Sequence, residues 1–421
     1  MRIKTWQTVL FFALVSCSLA LMEIPQATWL TSAALSLSSG VAAVAMMGAA
    51  ALLGGRWTLV ESLFGGLDRV YLAHKWLGIW ALVFASFHFV FKANLDAWQT
   101  ASIIALPPYY TRLARQLSFI ALMLIVMLAL NRKIPYNVWR WWHKLSGPLF
   151  LIVILHWLSF KSPIAIDSPA GLWLAAISAL GVAAAGYKLL LYPFLANHAE
   201  YRIVAINPGA NALHLELVPV KRAIAFEPGQ FGFLRMKAEG LREPHPFTIA
   251  SRGEPDHHVH FVIRALGDYT HKLVKEASVG MYADIYAPYG RFRRPKASRR
   301  EVWIGGGVGI SPFIAWLTDQ SAEGFDKVTL FYFFTPGREF PSVEVLDDLA
   351  GQRGAEFIPV STGPSSPEFI RRFGEIADSA GPAAVDISFC GPKGLLKRIQ
   401  ALMRENRIPD KNLRHEYFEF R

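Results

Sequence analysis

Four histidines lie inside stretches that otherwise read as buried in lipid. His74 ("LAHKW") and His88 ("SFHFV") stand 14 residues apart, and His143 ("WWHKL") and His156 ("ILHWL") stand 13 apart. At the helical rise both separations are about 20 Å. Fourteen steps of ~100° end about 40° short of four full turns, so His74 and His88 share a helix face. Thirteen steps end about 140° short of four turns, a poor match for a straight helix. Gly147-Pro148 falls between His143 and His156, and a proline kink there can re-aim the second half. Charged residues in a membrane span cost on the order of 2.5–3.5 kcal/mol on insertion scales, so ionisable groups there have a partner or a use. One such histidine reads as structural, bonded to a neighbouring carbonyl. Four of them, at matched depths on two parallel helices, make two cross-helix pairs. Paired neutral imidazoles are what a six-coordinate haem iron takes as axial ligands. Two stacked haems would form an electron path through a bilayer.

The elements that must position these histidines are six apolar runs, roughly Trp6–Met22, Trp29–Leu53, Tyr71–Phe91, Ala114–Leu130, Val138–Phe160 and Leu172–Tyr192. Each is near the ~20 residues that a spanning helix needs. The chain of 421 residues is 53% apolar with a mean hydropathy of +0.29. That is too apolar for one soluble enzyme and too charged for a pure membrane bundle. The two properties separate near residue 195, which predicts a membrane domain followed by a soluble one. Six spans put both ends of the membrane domain on one side. Arg2, Lys4, Arg56, Arg69, Arg132, Lys133 and Arg140 fall on that side, against Lys92, Arg112, Arg115 and Lys161 opposite. The bias places the soluble half in the cytoplasm and the spans in the inner membrane. The net charge of +11 does not point to nucleic acid, because the basic residues are spread out and many flank apolar runs. Cys17 and Cys390 offer no disulfide framework, no zinc spacing and no covalent haem attachment motif. "LVSC" ending at Cys17 resembles a cleavable lipoprotein signal, but the apolar run continues through "SLALM", which favours a retained first span. Lys75, Arg140 and Lys144 are candidates for inner haem propionates, with interfacial snorkelling as the alternative.

After His198 the pattern becomes short alternating strands, "YRIVAI", "ALHLELV", "FGFLRM", "HHVHFVIR" and "MYADIYA". This predicts a small antiparallel barrel. From Glu301 strands alternate with helical stretches, "EVWIGG", "VTLFYFF", "EFIPVS" and "VDISFCG", as in a parallel sheet with crossovers. "GGGVGISPF" (Gly305–Phe313) follows an apolar strand and opens a helix, the context that a dinucleotide pyrophosphate site requires. Ser311 is expected at the N-cap and Pro312 at the first helical position.

"HPFTIAS", "LGDYTHKL", "YAPYGRF", "GGGVGISPF" and "FCGPKGL" occur in this order. Together they resemble the ferredoxin-reductase-type FAD/NAD(P)H module. Joined to the four-histidine membrane half, the chain resembles the NADPH oxidase and ferric reductase superfamily, most of all its compact bacterial members. The resemblance implies a multi-domain membrane protein: a six-helix transmembrane haem-binding bundle over residues 1–195, an antiparallel β-barrel FAD domain over 196–297, and an α/β NAD(P)H-binding domain over 298–421. It implies that His74, His88, His143 and His156 hold two b-type haems. His245, Pro246, Phe247 and Thr248 match the motif that holds the flavin and its ribityl–phosphate arm. Gly267, Tyr269 and Thr270 match the turn that receives the FAD pyrophosphate. Gly305, Gly307, Gly309 and Ser311 match the nicotinamide dinucleotide's pyrophosphate loop. Cys390, Gly391 and Pro392 match the segment beside the nicotinamide ring. An aromatic near the C-terminus is expected against the flavin, Phe418 first and Phe420 second, both in "HEYFEFR". Arg338 in "TPGREF" stands where a 2′-phosphate would be paired, which favours NADPH over NADH.

The activity so implied is electron transfer from cytoplasmic NAD(P)H through FAD and two haems to an outer acceptor. Oxygen, giving superoxide, is the first expectation. A ferric chelate or a periplasmic partner protein is the alternative. Relatives that make superoxide carry a histidine one turn beyond the outer ligand, where this chain has Lys92, and an arginine on an earlier span that this chain lacks. No obligatory protein partner is expected. A non-catalytic redox sensor is the reading from a different class, and it predicts cofactor binding without multiple turnover.

Overall fold

The computed structural model describes residues 3–131, 133–252, 257–295 and 299–416. The chain divides after Ala196 into two compact units. The first is helical. Its helices are α1 (Thr5–Met22), α2 (Ser32–Leu53), the short α3 (Thr58–Phe64), α4 (Leu67–Val90), α5 (Pro108–Leu130), α6 (Tyr136–His143), α7 (Ser146–Ser159) and α8 (Pro169–Gly186). One π turn, Tyr187–Leu191, carries α8 into α9 (Tyr192–Leu195). Five stretches are long and apolar enough to cross a membrane: Thr5–Met22, Ser32–Leu53, Leu67–Val90, Pro108–Leu130 and Pro169–Leu195.

The remaining run, expected over Val138–Phe160, is not one helix. It is split into α6 and α7. The expected bend at Gly147-Pro148 is therefore a break placed just ahead of it. Lys144 and Leu145 donate to the carbonyls of Trp141 and Trp142 at 3.2 and 3.0 Å, tightening and ending α6. A proline has no N–H to give, so it is tolerated only where that N–H would have no helical partner. Restarting the helix at Ser146 puts Pro148 in its first turn, where this condition holds. His143 and His156 consequently sit on separately aimed helices.

α2 is the buried centre of this unit, built of Ala, Gly and Ser with few large side chains. A Cβ on Gly48 would meet the Ile177 carbonyl at 2.7 Å, and one on Gly181 would meet the Gly48 Cα at 2.9 Å. Here α2 and α8 touch backbone to backbone, the close approach that small residues allow in membranes.

The second unit opens with six strands: β1 (His198–Gly209), β2 (Ala212–Pro219), β3 (Phe231–Met236), β4 (His245–Thr248), β5 (Val259–Arg264) and β6 (Tyr282–Tyr289). They pair antiparallel in the order β4-β3-β6-β1-β2-β5. An Ile249–Phe261 bridge joins the two ends, so the barrel is nearly closed. Alternation is clean along β2, where Leu213, Leu215 and Leu217 point inward while His214 and Glu216 stay partly exposed. α10 (Asp268–Glu276) lies between β5 and β6.

The rest alternates: β7 (Arg300–Gly306), α11 (Ser311–Thr318), β8 (Val328–Phe333), α12 (Val343–Gln352), β9 (Glu356–Val360), α13 (Pro367–Ala380), β10 (Val385–Cys390), α14 (Lys393–Glu405) and β11 (Leu413–His415). The sheet is parallel in the order β11-β10-β7-β8-β9. Every residue of β8 is buried, the continuous apolar strand expected when helices cover both faces.

Candidate functional site

The histidine pairs form across α4 and the α6–α7 break. The rings of His74 and His143 have centroids 5.8 Å apart, and those of His88 and His156 are 6.3 Å apart. An imidazole nitrogen binds a transition metal at about 2.0–2.1 Å with the ring centroid about 1.1 Å behind it, so rings on opposite sides of one iron sit about 6.3 Å apart. The observed spacings fit that bridge. The α4 rings are held from behind by α2. His74 Nδ1 donates to the Ala50 carbonyl at 2.7 Å, and His88 Nδ1 donates to the Ser36 carbonyl at 2.9 Å. A donating Nδ1 leaves the lone pair on Nε2, ready to bind metal. Ser36 also donates its hydroxyl to the Phe91 carbonyl at 2.8 Å, fixing the end of α4. Space for the His88 ring comes from Gly40, where a Cβ would lie 2.8 Å from His88 Nδ1. The Nδ1 atoms of His143 and His156 are buried with no hydrogen-bond partner, so these two rings lack the carbonyl support that the α4 rings have. His143 stacks on Trp139, centroids 5.3 Å apart.

Of the cations proposed for propionates, Lys75 and Arg140 are partly buried and Lys144 is exposed. Two cations not singled out from the sequence lie at the same end of the unit as His74. Arg56 donates to the hydroxyls of Tyr71 and Tyr192 at 2.6 and 3.3 Å, and Tyr71 is one turn from His74. Lys188 lies over the Tyr192 ring, 3.3 Å from its centroid, and its buried Nζ has no hydrogen-bond partner. In the sequence Arg56 reads only as a loop cation that sets topology.

In the second unit β4 carries His245, Pro246, Phe247 and Thr248 against Leu234, Phe233, Gly232 and Phe231 of β3. His245 stacks on Tyr269 with centroids 3.7 Å apart, so the "HPFT" strand and the "GDYT" turn are brought together. The Tyr269 hydroxyl donates to the Leu241 carbonyl at 3.3 Å. Burial first, then the Glu243 charge, push that phenol well above its usual range. Gly267 precedes α10, and a Cβ on it would meet nothing within 4 Å. The helix start therefore faces open space, with its dipole available to an anion. Thr270 Oγ1 accepts from the amides of Leu266 and Gly267 at 2.9 and 3.0 Å and so fixes the turn.

The "GGGVG" loop runs from the end of β7 through a 3₁₀ turn, Gly307–Ile310, into α11. Gly307 adopts φ +57° with open space around it. A Cβ on Gly309 would meet the Cys390 carbonyl at 2.3 Å, and one on Gly306 would meet Pro392 at 2.8 Å. The loops after β7 and β10 thus pack backbone to backbone at the C-terminal ends of neighbouring strands, where α/β sheets bind their ligands. Ser311 is the first residue of α11, not its cap, and it donates to the Val308 carbonyl at 2.8 Å. Cys390 is fully buried. Burial first, then the Glu416 charge, raise its thiol well above the usual value, so it packs the loop and offers no thiolate. Gly391 and Pro392 lead into α14, with Pro392 at its N-cap. Arg338 is exposed in the loop after β8, its amide bonded to the Thr335 carbonyl at 2.9 Å and its carbonyl accepting from Arg264. Phe418 and Phe420 lie outside the described residues.

Comparison with known proteins agrees with this division. Residues 39–154 match the family described as ferric reductase like transmembrane component, and residues 197–300 match an FAD-binding domain. The first match contains His74, His88 and His143 and ends two residues before His156. The reductase component of propane 2-monooxygenase from Rhodococcus jostii is 27% identical over 52% of this chain and 62% of its own. A probable cell surface ferric reductase of Aspergillus oryzae is 26% identical over 74% of this chain and 44% of its own. NADPH oxidase 3 of Rattus norvegicus is 26% identical over 54% of this chain and 50% of its own. The chain thus spans less than two thirds of the length of each of these relatives. It is a membrane protein that joins a stretch similar to ferric-reductase-like transmembrane components to an FAD-binding domain, a combination that makes it similar to a fungal ferric reductase and to an NADPH oxidase.

Proposed function

We propose that the protein oxidises NAD(P)H on the cytoplasmic side of the inner membrane and delivers single electrons to oxygen at the outer face. The balance is one NAD(P)H and two O2 giving NAD(P)+, one proton and two superoxide. The observation that supports this most is the pair of histidine pairs, each with its α4 ring held by an α2 carbonyl. His74 with His143, and His88 with His156, would each hold one b-type haem. His245 to Thr248, Gly267, Tyr269 and Thr270 would hold FAD. When bound, FAD supplies the splitting of a hydride's electron pair and haem supplies one-electron transfer.

The protein's own part is placement. Ala50 and Ser36 fix the tautomer and aim of the α4 imidazoles. Gly305, Gly307 and Gly309 clear backbone space for the dinucleotide, and the α11 start attracts its phosphates. Gly391 and Pro392 border that loop. Arg338 would pair a 2′-phosphate, which would favour NADPH. His74, His143, His88 and His156 would all be committed to holding haem, so none of them would bind the acceptor.

A ferric chelate is the second reading. The fungal ferric reductase relative aligns over 74% of this chain, and the exposed Lys92 just beyond α4 would attract an anionic chelate.

The test is His88→Ala in the purified protein, read as haem per FAD. We expect the ratio to fall from two to one while NADPH still bleaches the flavin. Retention of two haems per FAD would overturn the ligand assignment.

A further inference from the structure

Four polar side chains that play no part in the electron path meet on the outer face of the barrel. β2 and β5 pair with Glu216 opposite His260, and His214 lies two residues before Glu216 on the same face. His258 immediately precedes β5. Its Nδ1 is 2.7 Å from Glu216 Oε1, and His260 Nε2 is 4.0 Å from the same oxygen. One ligand atom from each of Glu216, His258 and His260 lies within 4.8 Å of the others. The three side chains are 29%, 32% and 28% exposed, so an ion can reach them from solvent. The arrangement is supported from behind. His260 Nδ1 is held by His214 Nε2 at 3.1 Å, leaving Nε2 to face the carboxylate. Ser251 donates its hydroxyl to the His258 carbonyl at 2.9 Å and accepts from the His260 amide at 3.2 Å. It thereby clamps the backbone that carries both histidines.

We propose that Glu216, His258 and His260 form a site for Zn2+ or a chemically similar divalent transition metal, with His214 as the positioning residue for His260. Two imidazoles and one carboxylate are a zinc donor set that leaves one coordination position for water. Bonds of about 2.0–2.1 Å in a tetrahedron set ligand atoms about 3.3 Å apart. The His260–Glu216 distance of 4.0 Å closes by roughly 0.7 Å on that geometry. The His258–Glu216 pair opens by roughly 0.6 Å as the metal replaces the proton between them. The ion would tie the segment entering β5 to the neighbouring strand. The metal-bound tautomer has His260 Nδ1–H donating to His214, the usual support of a ligating imidazole.

The test uses the full-length protein without a polyhistidine tag, stripped with chelator and dialysed against about 1 µM free Zn2+. Zinc is counted against FAD and haem by elemental analysis. We expect the wild type to hold one more zinc per FAD than the His258→Ala/His260→Ala double variant, with FAD and haem content equal. Should the double variant fail to fold, Glu216→Gln replaces it and is expected to weaken zinc binding at least about 10-fold. His214→Gln should weaken it about 10–100-fold without abolishing it. Equal zinc in the wild type and in the ligand variants overturns the site.

Discussion

At the residue scale, what aims the α4 histidines is mostly not side chain. Two α2 carbonyls and one missing Cβ do it. Gly40 gives the sharpest test. A valine there must displace the His88 ring, because even its Cβ would fall 2.8 Å from Nδ1. We expect Gly40→Val to lose one haem, the one assigned to His88 and His156, and to keep the other, with FAD unchanged. Haem per FAD together with the reduced-minus-oxidised spectrum reads this. Loss of neither haem would show that the ring has room elsewhere. The histidines themselves were legible in the sequence, because an ionisable residue in an apolar run stands out. Their supports were not, because a backbone carbonyl carries no residue type and Gly40 is one of many small residues in α2. The cluster at Glu216, His258 and His260 was hidden for a related reason. "ALHLELV" and "HHVHFVIR" each show alternation, but only the β2–β5 pairing puts their polar positions side by side.

At the scale of elements, the barrel and parallel sheet followed from strand patterns and from the change of period near Glu301. The fifth apolar run did not, because hydropathy cannot see a break at Lys144-Leu145 that exists to place Pro148 in a first turn. The parallel sheet also has a fastening that no motif announces. Glu356, at the start of β9, takes two bonds from Arg372 of α13 at 2.9 and 2.8 Å, one from Thr329 of β8 at 2.7 Å and one from Arg300 of β7 at 3.2 Å. Partial burial alone pushes this carboxyl up, but the Arg372 and Thr329 bonds and the Arg372 and Arg300 charges hold it below its usual value. A depressed folded value means stability that is full above the unfolded carboxylate value and lost as pH falls through the folded one. Because the group is about one third exposed, solvent screening keeps the contribution near or under about 1 kcal/mol. Glu356→Gln should therefore lower Tm by about 1–3 °C at pH 7, with the gap closing below about pH 4. A gap unchanged between pH 7 and about pH 3 would mean that the pairing charge is not what matters.

At the scale of the whole molecule, the proposed electron path puts oxidation and reduction on opposite sides of a membrane. The two histidine pairs are stacked along α4 about 21 Å apart, most of the ~30 Å hydrocarbon thickness. The proposed orientation rests on the loops at the His74 end carrying more basic residues than those opposite, by the charge rule. A soluble enzyme of the same chemistry would need none of this. The consequence is directional and can be measured in proteoliposomes with cytochrome c sealed in the lumen. NADPH added outside reaches only molecules whose reductase module faces out. We expect lumenal cytochrome c to be reduced, and lumenal superoxide dismutase to suppress that reduction by most of its rate. Suppression by dismutase added only outside would mean that superoxide forms on the NADPH side, and the transmembrane path would be wrong. Lumenal reduction that ignores dismutase, and that persists without oxygen when ferric citrate replaces cytochrome c, would keep the path and change the acceptor to ferric iron. His88→Ala should abolish the lumenal signal in either case, because a path with one of its two relay sites removed leaves a gap that electrons do not cross at a useful rate.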